Sequence, residues 1–499
     1  MVDLEALRAE AEAFLAESRR EWYLAGAGVK ERLELAPIYA QHGGLFRREG
    51  VEAAARAFGG SPGGAGRDRL RELWSFLALG FIRERVKELT EQAANFESAA
   101  TVRLPWGEEI PYRQSAVVQL NEADRGRRAA LEAARAEVVR RKNGFLAPVH
   151  AATHALAPEL GFSGYLGMMD RLRGHPLEPV RAEMARFLGR TEALYLREMG
   201  GALRERLGLA LEEAQRHDAL HLFRGREHDR LFPAERLVDS ARAVCRGMGL
   251  DLEAEGRVRL DLEPRPRKSP RAFCSSVHVP GEVYLVIRPR GGHDDYRAFW
   301  HELGHALHFA YVDERAPFEA KRLGDNSVTE GFAMLFDHLL LEGAWLADTL
   351  GGEERDYRGF LRHLALFELY MLRRYAAKID YEFQLHQGPD LGGMDALYAR
   401  TLAGATRVAY PPESYLDDVD PFFYCANYLR AWMLQAQLRE ALRARFGRRW
   451  WRGPGSGGFL RELWRTGQAE DADALSRRLG FSRLTAEPLA AEIEGLLGG

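Results

Sequence analysis

The chain has 499 residues, 46% hydrophobic and 29% charged, the composition of an ordinary globular protein, which excludes a disordered chain. Its 70 Lys and Arg nearly cancel its 73 Asp and Glu, leaving a formal charge of −3, so nothing in the net charge draws it to nucleic acid or an anionic membrane. At roughly 100–200 residues per domain there is ample chain to build a core around an enclosed site.

Only six of the basic residues are lysines, a bias that fits genomic base composition better than a mechanism. Cys245, Cys274 and Cys425 are too few and too scattered for a disulfide framework or a Cys-based zinc site, and they point to a reducing compartment. The opening stretch, MVDLEALRAEAEAFLAESRREW, is rich in acids and helical in pattern, unlike a secretory signal. The most apolar stretch, 73–82, is about half as long as a bilayer crossing requires. A cytoplasmic protein with no nucleic-acid or membrane partner is expected.

Up to about residue 250 apolar residues recur at helical spacing in long runs, 67–98, 123–142 and 178–206, broken at 59–66, 101–113 and 174–176. The period then changes. RVRLDL (257–262), AFCSSVHV (272–279) and EVYLVI (282–287) predict a small sheet within 256–289. After Gly291-Gly292 a helix is expected over 294–312, and GPGSGG (453–458) sets off a segment of short helices. The expected fold is mostly α with one small β-sheet. It divides into an N-terminal helical lobe (1–200), a catalytic region (201–447) and C-terminal short helices packing on both (448–499).

Within the helix that follows the sheet stands His301-Glu302-Leu303-Gly304-His305, a match to H-E-x-x-H. At about 100° per residue, His301 and His305 share one face a turn apart and can hold one zinc ion through neutral imidazoles. Glu302 projects beside them, where a carboxylate can act as general base on a metal-bound water.

A catalytic zinc needs a third protein ligand. Glu330, 25 residues after His305 at the start of the next helical stretch (NSVTEGFAMLFDHLL, 326–340), can supply it on an antiparallel return. The alternative is a capping box, Ser327-x-x-Glu330, in which the acid only satisfies a backbone N–H. Asp337, two turns later on the same face, could orient a liganding imidazole or simply face solvent.

HELGHALH, the step to Glu330, and the preceding KSPRAFC (268–274) and PGEVYLVIRPRGGHDD (280–295) resemble the thimet oligopeptidase/oligoendopeptidase F family of zinc metallopeptidases. The match is specific over about 268–340 and diffuse elsewhere. The resemblance implies a two-lobed helical fold with a deep channel that admits short peptides, and one zinc per chain. It further implies that DPFFYCANYLRAWML (420–434) carries the phenol that donates to the oxyanion, Tyr424 or Tyr428, with Tyr415 as a third candidate. This segment departs from the family pattern: the longer relatives carry a His and more tyrosines where Phe422, Phe423 and Cys425 stand here.

The strand EVYLVI, with Tyr284, could bind substrate if it lies at the sheet edge or could pair only within the sheet, and His308 could touch substrate from the metal helix or be a polar core or rim histidine. Asp294 and Asp295 are expected to cap that helix, and PRPRKSPR (264–271) to be a solvated loop. The chemistry expected is zinc-dependent hydrolysis of short peptides by a monomer or homodimer. The alternatives are a metallocarboxypeptidase of the carboxypeptidase Taq type and a catalytically silent helical peptide-binding protein.

Overall fold

A computed structural model of the chain describes residues 2–498. Helices hold 71% of it and strands 5%, in agreement with the mostly α reading. No helix among the described residues is long and apolar enough to cross a membrane.

The described chain folds as two compact units, each assembled from separated stretches: residues 2–78, 226–361 and 430–489 form the first, and 79–225, 362–429 and 490–498 the second. The borders expected near residues 200 and 447 therefore fall inside compact units. Helical periodicity marks elements but carries no record of which distant stretches pack together.

The first unit contains the helix α1 (Leu4–Gly26), capped by the Asp3 carboxylate, which accepts from the Glu5 N–H. It also contains a three-stranded sheet of β1 (Val258–Asp261), β2 (Phe273–His278) and β3 (Glu282–Val286). The order is β1-β3-β2, with β1 parallel and β2 antiparallel to β3. The strand carrying Tyr284 is thus the middle one, paired on both sides. The expectation that it forms the edge is overturned, because the crossover between β1 and β2 places β3 between them. Inside the loop expected to be solvated, Lys268 is buried, its Nζ donating to Asp261 Oδ1 (2.8 Å) and to the Asp261 and Glu263 carbonyls.

Helix α2 (His293–Ala310) follows the sheet. It starts at Gly292, whose φ of +92° suits glycine and whose Cβ position lies 2.8 Å from the Asp229 carboxylate, so a side chain there would collide. Asp295 accepts from the N–H groups of Arg290 and Gly291, the capping work expected of the acid pair. Tyr296, Phe299, Trp300, Leu303 and Leu307 are buried at three- and four-residue spacing. Helix α3 (Asn326–Asp337) is buried from Ser327 to Asp337, as expected of a helix hydrophobic almost all round. The two helices approach so closely at Gly304 that a Cβ there would lie 2.6 Å from both the Ala333 Cα and the Phe332 carbonyl oxygen.

The second unit is built on long helices, among them Arg125–Glu159 and Leu177–Leu207, with a short hairpin pairing Thr101–Arg103 and Glu109–Pro111. One core packs Val102, Leu104 and Ile110 of the hairpin region against Leu131, Val138 and Val139 of the helix. The buried Arg373 donates to the Leu188 and Ala405 carbonyls and to Thr191 Oγ1, satisfying backbone acceptors and tying three helices together.

Candidate metal centre

The close packing of α2 on α3 brings His301, His305 and Glu330 to one point. Glu330 Oε2 lies 3.3 Å from His301 Nε2 and 3.6 Å from His305 Nε2. Ligands held about 2.0–2.1 Å from a tetrahedral zinc sit about 3.4 Å from one another, so this donor set fits the ion without rearrangement.

Both imidazoles are held from behind. His301 Nδ1 donates to Asp337 Oδ2 (2.9 Å), and His305 Nδ1 shares a hydrogen bond with Thr329 Oγ1 (2.8 Å). A neutral imidazole protonated at Nδ1 has its Nε2 lone pair free to face the shared point, the form in which such a ring binds a metal. The Asp337 carboxylate also bonds His338 through its other oxygen. Glu330 is held well below the usual carboxylate range, because the two histidines outweigh the burial that opposes its charge.

The capping alternative for Glu330 is resolved by the helix start. The N-cap of α3 is Asp325, whose Oδ1 accepts from the Ser327 N–H at 2.9 Å, and Arg430 supports its other oxygen. Glu330 is therefore released from capping and turned to the histidines.

Glu302 Oε2 accepts from the Cys274 backbone N–H at 2.8 Å. This bond links the general-base candidate to β2, the strand that does lie at a sheet edge. Burial raises the Glu302 pKa against the lowering pull of His305 and His301.

Two expected substrate contacts lie elsewhere. His308 is fully buried against Phe309 and Phe332, with Nε2 3.4 Å from the Gly467 carbonyl, and burial pushes its pKa down to about 3. Although it shares a helix face with His301, it sits further down α2, where that face enters the core. Tyr284 stacks on Tyr23 of α1 with ring centroids 3.6 Å apart, and its hydroxyl is engaged by Glu282 and Arg259.

Tyr415, Tyr424 and Tyr428 belong to the second unit. Tyr424 and Tyr428 pack edge to face at 5.0 Å, and Tyr428 meets Tyr375 at 5.7 Å. The Tyr415 carbonyl accepts from the Tyr381 hydroxyl.

Thr329 and the Cys274 amide escaped the reading of the sequence. Thr329 directly precedes Glu330, and the need of His305 for a partner at Nδ1 was the signal available. The Cys274 amide carried none, since a backbone group has no sequence signature.

No protein-family model matches the chain, and no curated protein matches it. In three dimensions it is similar to a crystal structure from Chlamydophila abortus described as a "putative peptidase". The TM-score is 0.65 at 13% sequence identity, covering 99% of this chain and 89% of that one. At that identity the likeness shows a shared fold along nearly the whole of both chains.

Proposed function

We propose that the chain is a zinc-dependent peptidase acting on short peptides, with His301, His305 and Glu330 as metal ligands and Glu302 as general base. The observation that carries this reading is the convergence of two Nε2 atoms on one carboxylate oxygen, at 3.3 and 3.6 Å, with Glu302 next to His301 on the same helix. The fold shared with the Chlamydophila abortus protein supports a peptidase over other metal-dependent hydrolases.

Zinc bound there supplies a Lewis acid and brings the pKa of a coordinated water toward neutrality. The chain's own residues do the rest. Asp337 and Thr329 fix the tautomer and orientation of the two imidazoles. The Cys274 N–H holds one oxygen of Glu302, leaving the other to take a proton from the attacking water and to pass it to the leaving amine. By the resemblance, Tyr424 or Tyr428 donates to the oxyanion, with Tyr415 as the third candidate; Tyr→Phe variants at each position separate them by kcat.

The test is Glu302→Gln, assayed by mass spectrometry of a mixed short-peptide pool with zinc present. Hydrolysis falls by about 10²–10⁴-fold while zinc stoichiometry is unchanged. Undiminished hydrolysis rejects the mechanism. Peptides blocked at both termini are still cleaved internally; a requirement for a free carboxyl terminus would favour the carboxypeptidase reading.

A further inference from the structure

The second unit holds a group of three histidines that the proposed chemistry does not use. His150 and His154 stand one turn apart on the helix Arg125–Glu159, and His386 directly follows the helix Arg358–Leu385. All three are buried, at 7%, 9% and 6% exposure. His154 Nε2 lies 3.0 Å from His386 Nδ1, and one nitrogen from each ring falls within 4.8 Å of the others.

Two features of this group bear on what it could hold. First, His150 Nε2 and His386 Nε2 are buried without a hydrogen-bond partner. Burying a polar atom without a partner is costly, and two of them in one cluster need an explanation. Second, the surroundings are aromatic: Tyr165 packs on His386 at 4.4 Å and on His154 at 5.2 Å, and Phe423 packs on His386 at 5.1 Å. Burial holds all three imidazoles below their ordinary pKa, and repulsion within the cluster adds to this at His154 and His386. They are therefore neutral near pH 7, the form in which imidazole binds a metal.

We propose that His150, His154 and His386 form a second metal site, of the three-imidazole kind that takes zinc or cobalt(II), and that the ion braces the helix Arg125–Glu159 against the end of Arg358–Leu385. Three neutral nitrogens without a thiolate or carboxylate suit borderline transition-metal ions over calcium or magnesium, which require oxygen. Tetrahedral zinc ligands sit about 3.4 Å apart, and one nitrogen from each of the three rings lies within 4.8 Å of the other two. The i, i+4 pair supplies two ligands from one rigid element, and His386 closes the set from another.

The test counts ions in the full chain. Protein stripped with a chelator is titrated with zinc against a chromogenic competitor. The unmodified chain takes up two equivalents, His301→Ala/His305→Ala takes up one, and adding His150→Leu/His386→Leu takes up none. Loaded with cobalt(II), the His301→Ala/His305→Ala protein shows the visible bands of a four-coordinate ion. No uptake by that protein overturns the proposal, as does an equivalent that survives the histidine substitutions in the cluster. Loss of the first-site reading alone gives a different result: one equivalent that is indifferent to His301 and His305 but abolished with His150 and His386. Where a variant fails to fold, anomalous scattering at the zinc edge from crystals of the unmodified protein decides. A peak among the three rings supports the site, and its absence in zinc-soaked crystals overturns it.

Discussion

The backbone N–H of Cys274 donates to Glu302 Oε2 at 2.8 Å, fastening the carboxylate of the H-E-x-x-H helix to the edge of the small sheet. The thiol plays no part in this bond. Cys274→Ala keeps the amide and leaves kcat within about two-fold, whereas Cys274→Pro removes the donor at an edge-strand position where proline is tolerated. With Glu302 no longer held, kcat falls by 10-fold or more while zinc uptake at the first site is unchanged. Equal activity of the Ala and Pro variants in steady-state peptide assays would show that the bond has no role in catalysis.

In the proposed zinc centre, Asp337 and Thr329 act on the ion through the imidazoles they hold. Removing such a partner costs about 10–100-fold in metal affinity, because the ring loses its fixed tautomer and part of its basicity. Asp337→Asn is expected at the upper end of that range, since it also strips charge, and Thr329→Val at the lower end. Competition titration with zinc measures both. Unaltered affinity in Asp337→Asn would separate this residue from the metal.

These partners show where a sequence is legible and where it is not. His301, Glu302 and His305 could be read because a helix converts i, i+4 spacing into shared direction with no help from the rest of the fold. Glu330 was readable only as one of two possibilities, and Asp325, by capping α3 itself, removes the capping one. Tyr284 was misplaced because strand order depends on a crossover that alternation of apolar residues does not record. His308 was misplaced because the face it shares with His301 runs from the site into the core within two turns. The His150–His154–His386 group was out of reach for a simpler reason. Two of its members show the helical spacing, but the third lies 232 residues away from His154 and only the folded chain brings it in.

Gly304 links fold to site. In an isolated helix Gly→Ala gains about 1 kcal/mol, so propensity alone favours the substitution. Here the new Cβ would stand 2.6 Å from backbone atoms of α3, which cannot swing aside as the tip of a long side chain can. Overpacking of this kind costs about 1–3 kcal/mol, so the clash outweighs the propensity gain. Gly304→Ala is expected to lower Tm by several degrees and to weaken zinc binding, because α3 carries Glu330, Thr329 and Asp337 together. A variant as stable and as tight in zinc binding as the parent would mean that the two helices are less closely constrained than their contact implies.

Glu382 provides a test in the second unit that involves neither histidine site. Its side chain is fully buried and accepts from the Asp420 N–H and the Cys425 thiol, with Lys378 at 3.9 Å. Burial pushes its pKa up to about 8, with Asp420 adding repulsion and Lys378 opposing. Lys378 cannot neutralise it fully, because the same ammonium group is shared with Asp420 at 3.0 Å and Asp418 at 3.5 Å. A carboxyl whose pKa is higher folded than unfolded holds its proton better in the native state. Its contribution is greatest below the unfolded value of 4.5 and is lost as pH rises through about 8. Stability measured by urea unfolding should therefore decline between pH 4.5 and 8 by an amount on the order of a few kcal/mol from this group. Glu382→Gln keeps an acceptor for the Asp420 N–H and has no proton to lose, so it flattens that part of the profile and is the more stable protein at pH 8. A slope unchanged by the substitution would assign the pH dependence to other groups.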